Sequence, residues 1–181
     1  MKAAFAFEAP KKNWWRLDKK YAGGGPLMDL GIYCLQGIIY TTGMIPIAVT
    51  AQSPPVSNKG IFIDVEETIT WQMEMPNGAI AECRTSYSGE YQNFLKAETD
   101  KGWFELNPAF SYDGIKSSTS DGKKLQFSKF SQQAKQMDGI AISIKNNQES
   151  IVPGEMGRRD MKIIEAIYKA MNTGKRVAIE W

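Results

Sequence analysis

The sequence predicts an α+β domain with a largely antiparallel, open-faced sheet and helices packed on one face. Three observations carry this. From Asp64 to Met75 the twelve residues alternate polar and apolar, broken only at Glu67. Pro76-Asn77-Gly78 follows as a hairpin turn into a second alternating run. Helical spacing occurs only early in the chain and again late. Strands that come in a run joined by hairpins, rather than alternating with helices, mean antiparallel pairing.

The elements follow in order. Residues 2–8 alternate around Ala3, Phe5 and Phe7 and read as a first strand. A basic, aromatic loop comes next, with Lys11, Lys12, Trp14, Trp15, Arg16, Lys19 and Lys20. Gly23-Gly24-Gly25-Pro26 is a helix start, since proline suits the first helical position. That helix is predicted from Pro26 to Tyr40, closed by Thr41-Thr42-Gly43. Ile47, Val49 and Ala51 mark a strand, and Val65, Ile69, Trp71, Met73 and Met75 share one face of the long one. Ala79 to Tyr87 is its return strand. Further strands are expected at Asn93–Thr99 and Trp103–Leu106, with a weaker one near Leu125–Phe127. Ala134, Met137, Ile140 or Ala141, and Ile144 have helical spacing, weakened by Gly139. Ile163, Ile164, Ile167, Tyr168 and Met171 make a stronger helix, closed by Asn172-Thr173-Gly174. Glu155, Arg158 and Arg159 read as a charged loop with helix-start chemistry ahead of it. Arg176–Trp181 alternates as a terminal strand.

With 181 residues, 43% of them hydrophobic, one domain over 1–181 is expected. It should bury about 70% of its unfolded surface and need no staple. Twenty-two basic against 20 acidic residues give a net charge of +2, which disfavours nucleic-acid or membrane-surface partners. There is no histidine. Histidine-based triads, His-ligated zinc and the facial iron triad are thereby excluded from these residues, and no metal site is expected. Cys34 and Cys83 lie in apolar neighbourhoods and read as buried free thiols. The apolar run Ala3 to Phe7 is stopped by Glu8, too short for a secretory core. No run reaches the roughly 18 apolar residues of a membrane span. The compartment is left open.

On a wheel at about 100° per residue, Asp29, Tyr33, Gln36 and Tyr40 fall in one stripe of the first helix. The rest of its surface is apolar nearly all round. A carboxylate and a phenol one turn apart on such a helix must be satisfied or face a cavity. Asp29 sits in the first turn, where the helix dipole favours its charge, and Tyr33 at i+4 could bond to it or to a ligand between them. A capping carboxylate beside a core tyrosine is the alternative. The glycine run permits close approach of a ligand or of a second backbone, but it fits neither phosphate-binding fingerprint.

Trp15-Arg16, the string Ala22-Gly23-Gly24-Gly25-Pro26-Leu27-Met28-Asp29-Leu30-Gly31-Ile32-Tyr33, and Gly37 together resemble the C-terminal domain of the glucose–fructose oxidoreductase and inositol dehydrogenase (Gfo/Idh/MocA) family. Glu66-Glu67-Thr68, Trp71, Gly78-Ala79, Pro153 to Gly157, Asp160, Ala166 to Tyr168 and Thr173 to Val177 extend the likeness over the chain. The resemblance implies the substrate-binding and oligomerising domain of an oxidoreductase that exchanges hydride between a sugar or polyol carbon and NAD or NADP. Asp29 would orient substrate or assist proton movement. Tyr33 would relay the proton as hydride leaves. Trp15 and Arg16, and by a weaker match Tyr112, would approach the cofactor.

No dinucleotide fingerprint and no Glu-Lys-Pro segment, which bears the family's catalytic lysine, occurs in these residues. An N-terminal Rossmann domain is therefore an expected partner. Alone, the chain is expected to hold no nicotinamide cofactor tightly and to be inactive. A homodimer or tetramer through the sheet face is expected. The competing reading is a free-standing, sheet-mediated binding or assembly module, with Trp71, Met73, Met75 and Cys83 lining the association surface. The two separate on whether Asp29 and Tyr33 face an open cleft or are sealed by the chain's own loops.

Overall fold

The structure, a computed structural model, describes residues 1–10, 14–125, 127–128 and 130–181. Its centre is an eight-stranded sheet of β1 (Lys2–Ala6), β2 (Ala48–Gln52), β3 (Thr68–Glu74), β4 (Ile80–Ser86), β5 (Gln92–Thr99), β6 (Gly102–Leu106), β7 (Ser117–Thr119) and β8 (Val177–Ala178). The order across the sheet is β7-β6-β5-β1-β4-β3-β2-β8. Every pairing is antiparallel except β1 with β4, where Ala3 lies opposite Cys83. The helices are α1 (Lys19–Ala22), α2 (Ile32–Thr42), α3 (Gln132–Lys145) and α4 (Gly154–Thr173). No helix among the described residues is long and apolar enough to cross a membrane.

The predicted α+β class and open sheet are observed. The hairpin turns at Gly78, whose φ of 83° only glycine adopts easily. Gly43 and Gly174 close α2 and α4 in the left-handed conformation expected of them. Helix α2 sinks Cys34, Leu35 and Ile38 into the core, and α4 adds Ile163, Ile164 and Ile167. At about 1.5–3 kcal/mol for each large side chain removed from water, this interface is the fold's main stabilising term.

Several elements depart from expectation. The first strand ends at Ala6, and the long strand starts at Thr68 rather than Asp64. Glu66 and Glu67 leave the sheet because their carboxylates accept hydrogen bonds elsewhere: Glu66 from the Gly25 and Leu27 amides, Glu67 from the Ser57 amide and hydroxyl. Leu125 and Phe127 form no strand, while Gln126 between them lies outside the described residues; the edge strand is instead β7. The terminal strand shrinks to two residues. Glu155, Arg158 and Arg159 fall inside the opening turns of α4. Lys11 and Lys12 lie outside the described residues; Trp15–Leu17 is a 3₁₀ turn and Lys19, Lys20 belong to α1.

Two corrections bear on function. Trp71, Met73, Met75 and Cys83 are buried and cannot line an association surface, because that side of the sheet lies under the helices. The free face mixes polar and apolar groups, with Lys2, Thr50, Gln72, Glu82, Arg84 and Gln92 beside Ala51 and Phe94 around a shallow hollow of about 610 Å³. Lys2 pairs with Glu82 there at 3.2 Å, and Arg84 bonds Gln92 at 2.7 Å. Of the longer helices, α2 and α4 pack on the sheet as expected, whereas α3 buries none of its residues.

Candidate functional site

The site grows from the start of the first helix, and the glycine run explains how that start is held. A Cβ on Gly24 would overlap the Tyr168 hydroxyl, and one on Gly25 would overlap the Glu66 backbone carbonyl. The close approach these glycines permit is therefore to the protein's own backbone and side chains. The Glu66 carboxylate accepts from Gly25 N at 3.0 Å, from Leu27 N at 3.1 Å and from the Tyr168 hydroxyl at 3.0 Å. It supplies the acceptors that a helix start lacks, reaching them from about forty residues away.

Leu27–Gly31 then winds as a π turn before α2 begins. The extra residue per turn breaks the wheel on which Asp29, Tyr33, Gln36 and Tyr40 formed one stripe. Such turns are frequent at functional sites. Asp29 bonds neither to Tyr33 nor to a helix amide. Its Oδ1 accepts from Arg16 Nε at 3.0 Å and its Oδ2 from the Tyr87 hydroxyl at 3.0 Å. Gln36 bonds the buried carboxylate of Asp160 in α4, and the Tyr40 hydroxyl donates to Met156 Sδ at 3.8 Å. The stripe thus divides: Asp29 and Tyr33 remain at the opening, while Gln36 and Tyr40 fasten α2 to α4.

The Arg16 guanidinium lies over the Trp15 ring at 4.5 Å and the Trp14 ring at 5.2 Å, in cation–π range. Trp14 packs edge-on against Tyr87, with centroids 5.0 Å apart, above a small core of Leu30, Phe62 and Val65. Burial first, then the Asp29 charge and the bond to it, push the Tyr87 phenol far above its ordinary range. Tyr87 is therefore a fixed proton donor to Asp29. Trp15, Arg16, Gly24, Gly25, Asp29 and Tyr87 line a cleft of about 130 Å³. The Asp29 side chain keeps 25% of its exposure there and Arg16 keeps 34%.

Tyr33 stands beside this cleft, 39% exposed, with its ring edge-on to Phe5 at 5.5 Å and against Phe110 at 6.0 Å. The neighbouring Tyr112 phenol first, then partial burial and the charge of Asp29, push its pKa up to about 12; Arg16 opposes them. Tyr112 arrives from the loop after β6. Asn93 holds that loop by accepting from the Ala109 and Phe110 amides at 2.9 and 2.7 Å. The structure thus brings Trp15, Arg16 and Asp29 into one cleft, while Tyr33 and Tyr112 neighbour one another outside its lining. Tyr87, Trp14 and Glu66 went unpredicted as parts of the site. Tyr87 had no local signal, since it reaches Asp29 across 58 residues of chain.

Among the described residues, the loops do not seal Asp29 and Tyr33. The cleft is far below the roughly 300–1,000 Å³ of a small-molecule pocket, so these residues form one open wall rather than an enclosure.

Comparison with known proteins agrees with the sequence resemblance. The model of the GFO/IDH/MocA C-terminal domain matches residues 1–105. D-xylose 1-dehydrogenase [NADP(+)] of Haloarcula marismortui is 26% identical over 176 residues, 94% of this chain and 48% of that protein. D-glucoside 3-dehydrogenase of Escherichia coli is 24% identical, over 90% of this chain and 51% of its own length. The crystal structure of aldose-aldose oxidoreductase from Caulobacter crescentus, complexed with glycerol, superposes with a TM-score of 0.90 at 35% identity, covering 98% of this chain and 54% of that one. The chain spans about half the length of the relatives it matches.

Proposed function

The chain belongs to the GFO/IDH/MocA family, matching its C-terminal domain, and on that premise we propose that it is the substrate-facing half of an NAD(P)-dependent sugar or polyol oxidoreductase. One observation carries the reading. A carboxylate fixed by a guanidinium and a buried phenol opens into a cleft, with a second, half-exposed phenol beside it. The nicotinamide, when bound, supplies the hydride acceptor or donor. Every other part of the chemistry falls to side chains.

Asp29 accepts a sugar hydroxyl and orients it, because Arg16 and Tyr87 leave its carboxylate one open side. Tyr33, with a pKa up to about 12, holds its proton at neutral pH. It can donate that proton to a sugar oxygen in the reductive direction. In the oxidative direction it needs a nearby cation to lower its pKa, which the other half of the enzyme would supply. Trp15, stacked on Arg16, presents a flat wall to the cofactor, and Tyr112 keeps the Tyr33 hydroxyl in place. The free face of the sheet is the homo-oligomer surface, where strands of two copies would cross as packed sheets do.

The test has two parts. The chain alone should show no turnover of D-xylose, glucose or myo-inositol with NAD or NADP; measurable turnover refutes the split-domain reading. Joined to a family nucleotide-binding half, the chain should turn over, and Tyr33→Phe should lower kcat by about 10²–10⁴ with little change in KM. A fusion without turnover favours the free-standing module reading, and a Tyr33→Phe fusion as active as its parent removes Tyr33 from the proton relay.

A further inference from the structure

The backbone that carries Asp29 has no cap of its own. Pro26 and Gly31, which open the π turn and α2, offer no side-chain acceptor to the amides that follow them. The acceptors come instead from two segments distant in sequence. Gly24 and Gly25 line the cleft, and the atoms standing where their side chains would be are the Tyr168 hydroxyl and the Glu66 carbonyl. From there an unbroken series of hydrogen bonds leads to Asp29. Tyr168 donates to the Glu66 carboxylate at 3.0 Å, and that carboxylate also accepts from the Gly25 and Leu27 amides at 3.0 and 3.1 Å. The Gly25 carbonyl in turn accepts from the Met28 amide at 3.1 Å and the Asp29 amide at 3.4 Å. Burial first, then the Glu66 charge and the bond to it, keep the Tyr168 phenol protonated, so it stays the donor. Its mounting is rigid, because α4 sets Ile163, Ile164 and Ile167 in the core.

We propose that Glu66 and Tyr168 are positioning residues for Asp29: they hold the π turn at the setting in which its carboxylate reaches Arg16 and Tyr87 and still opens into the cleft. The inference rests on the functional reading above for what Asp29 does, and adds which distant groups aim it. A π turn holds one residue more than a regular helical turn, so an unheld one relaxes toward α spacing. A shift of one residue turns a side chain by about 100° around the axis, which carries Asp29 off both partners. Neither Glu66 nor Tyr168 lines the cleft. Their hold on the site therefore passes through the backbone of the turn.

The test first reads the Arg16–Asp29 bond in the chain alone. The Nε–H groups of Arg16, Arg159 and Arg176 each donate to a carboxylate, of Asp29, Asp160 and Glu74 respectively. Nitrogen-resolved NMR of the three, each assigned by its loss on substitution with Lys, compares the site with two bonds elsewhere in the fold. In Glu66→Gln, and in Tyr168→Phe, which keeps the Glu66 charge, the Arg16 proton should exchange with water about tenfold or more faster. Arg159 and Arg176 should hold their rates. No change at Arg16, or an equal acceleration at all three, overturns the proposal. The second arm fuses the chain behind the nucleotide-binding half of the Caulobacter crescentus relative and uses whichever of D-xylose, glucose or myo-inositol it oxidises with NADP. Glu66→Gln should lower kcat/KM about 10–10²-fold, as displacing an orienting group does, and should lower it no further in an Asp29→Asn fusion. A loss that adds in full to that of Asp29→Asn overturns the proposal. A fusion without turnover, or one indifferent to Asp29→Asn, overturns the functional reading, while the Arg16 signal still decides the positioning.

Discussion

Two carboxylates in this molecule share a motif and differ in use. Glu66 and Asp29 each accept a hydrogen bond from a phenol that burial holds in its protonated form, Tyr168 for the first and Tyr87 for the second. Around Glu66 the remaining acceptor positions are taken by the Gly25 and Leu27 amides, so that group is consumed in holding the helix start. Around Asp29 the other partner is a mobile-type side chain, Arg16, and the carboxylate opens to a cleft. The difference teaches that a buried phenol beside a carboxylate does not distinguish a cap from a site. What distinguishes them is whether the remaining partners are backbone or side chain, and whether space is left.

The comparison breaks most visibly at Glu66. Glu66→Ala strips two amides and a hydroxyl of their acceptor and should cost about 2–4 kcal/mol in urea unfolding. A loss under 1 kcal/mol would show that water replaces the carboxylate easily and that the anchor is not one. Gly25→Ala should cost a similar amount, because its Cβ meets a backbone carbonyl that has no room to retreat. Asp29→Asn keeps the shape and part of the bonding and should cost only about 1 kcal/mol by the same measurement. If it costs as much as Glu66→Ala, Asp29 is a structural cap and the site reading loses its premise.

Smaller again is the alkaline effect. Tyr87 and Tyr168 have folded pKa values raised above the ordinary phenol value of 10.0, with burial the first cause in both. The folded state then binds more protons than the unfolded state above that pH. The stability they contribute is fully present below pH 10 and falls as pH rises beyond it, by up to about 1.4 kcal/mol per pH unit for each phenol. Phe at either position should flatten that slope in pH-dependent unfolding. Smallest of all, Tyr33→Phe should leave stability within about 0.5 kcal/mol, while removing a phenol that titrates near 12 by ultraviolet absorbance.

Legibility followed contact range. The long alternation made β3 and β4 readable, and the glycine caps made the ends of α2 and α4 readable, because both signals are local. Trp15, Arg16 and Asp29 were legible as candidates through the family resemblance whose motifs they carry, and they line one cleft. Their partners were not: Tyr87, Glu66 and Tyr168 come from positions whose local pattern says only strand or helix. Of the two bonds left open to Tyr33, to Asp29 or to a ligand between them, the first is not formed, since a regular wheel does not reveal a π turn.

Residue order by itself determined which faces are apolar and where chain direction reverses, because these depend on spacing along one element. Only the tertiary structure decided what each apolar face meets: helices over Trp71 and Met73, and nothing among the described residues over Met137 and Ile144. Periodicity records that a side needs cover; which body supplies it depends on packing between segments distant in sequence, and no single stretch encodes that.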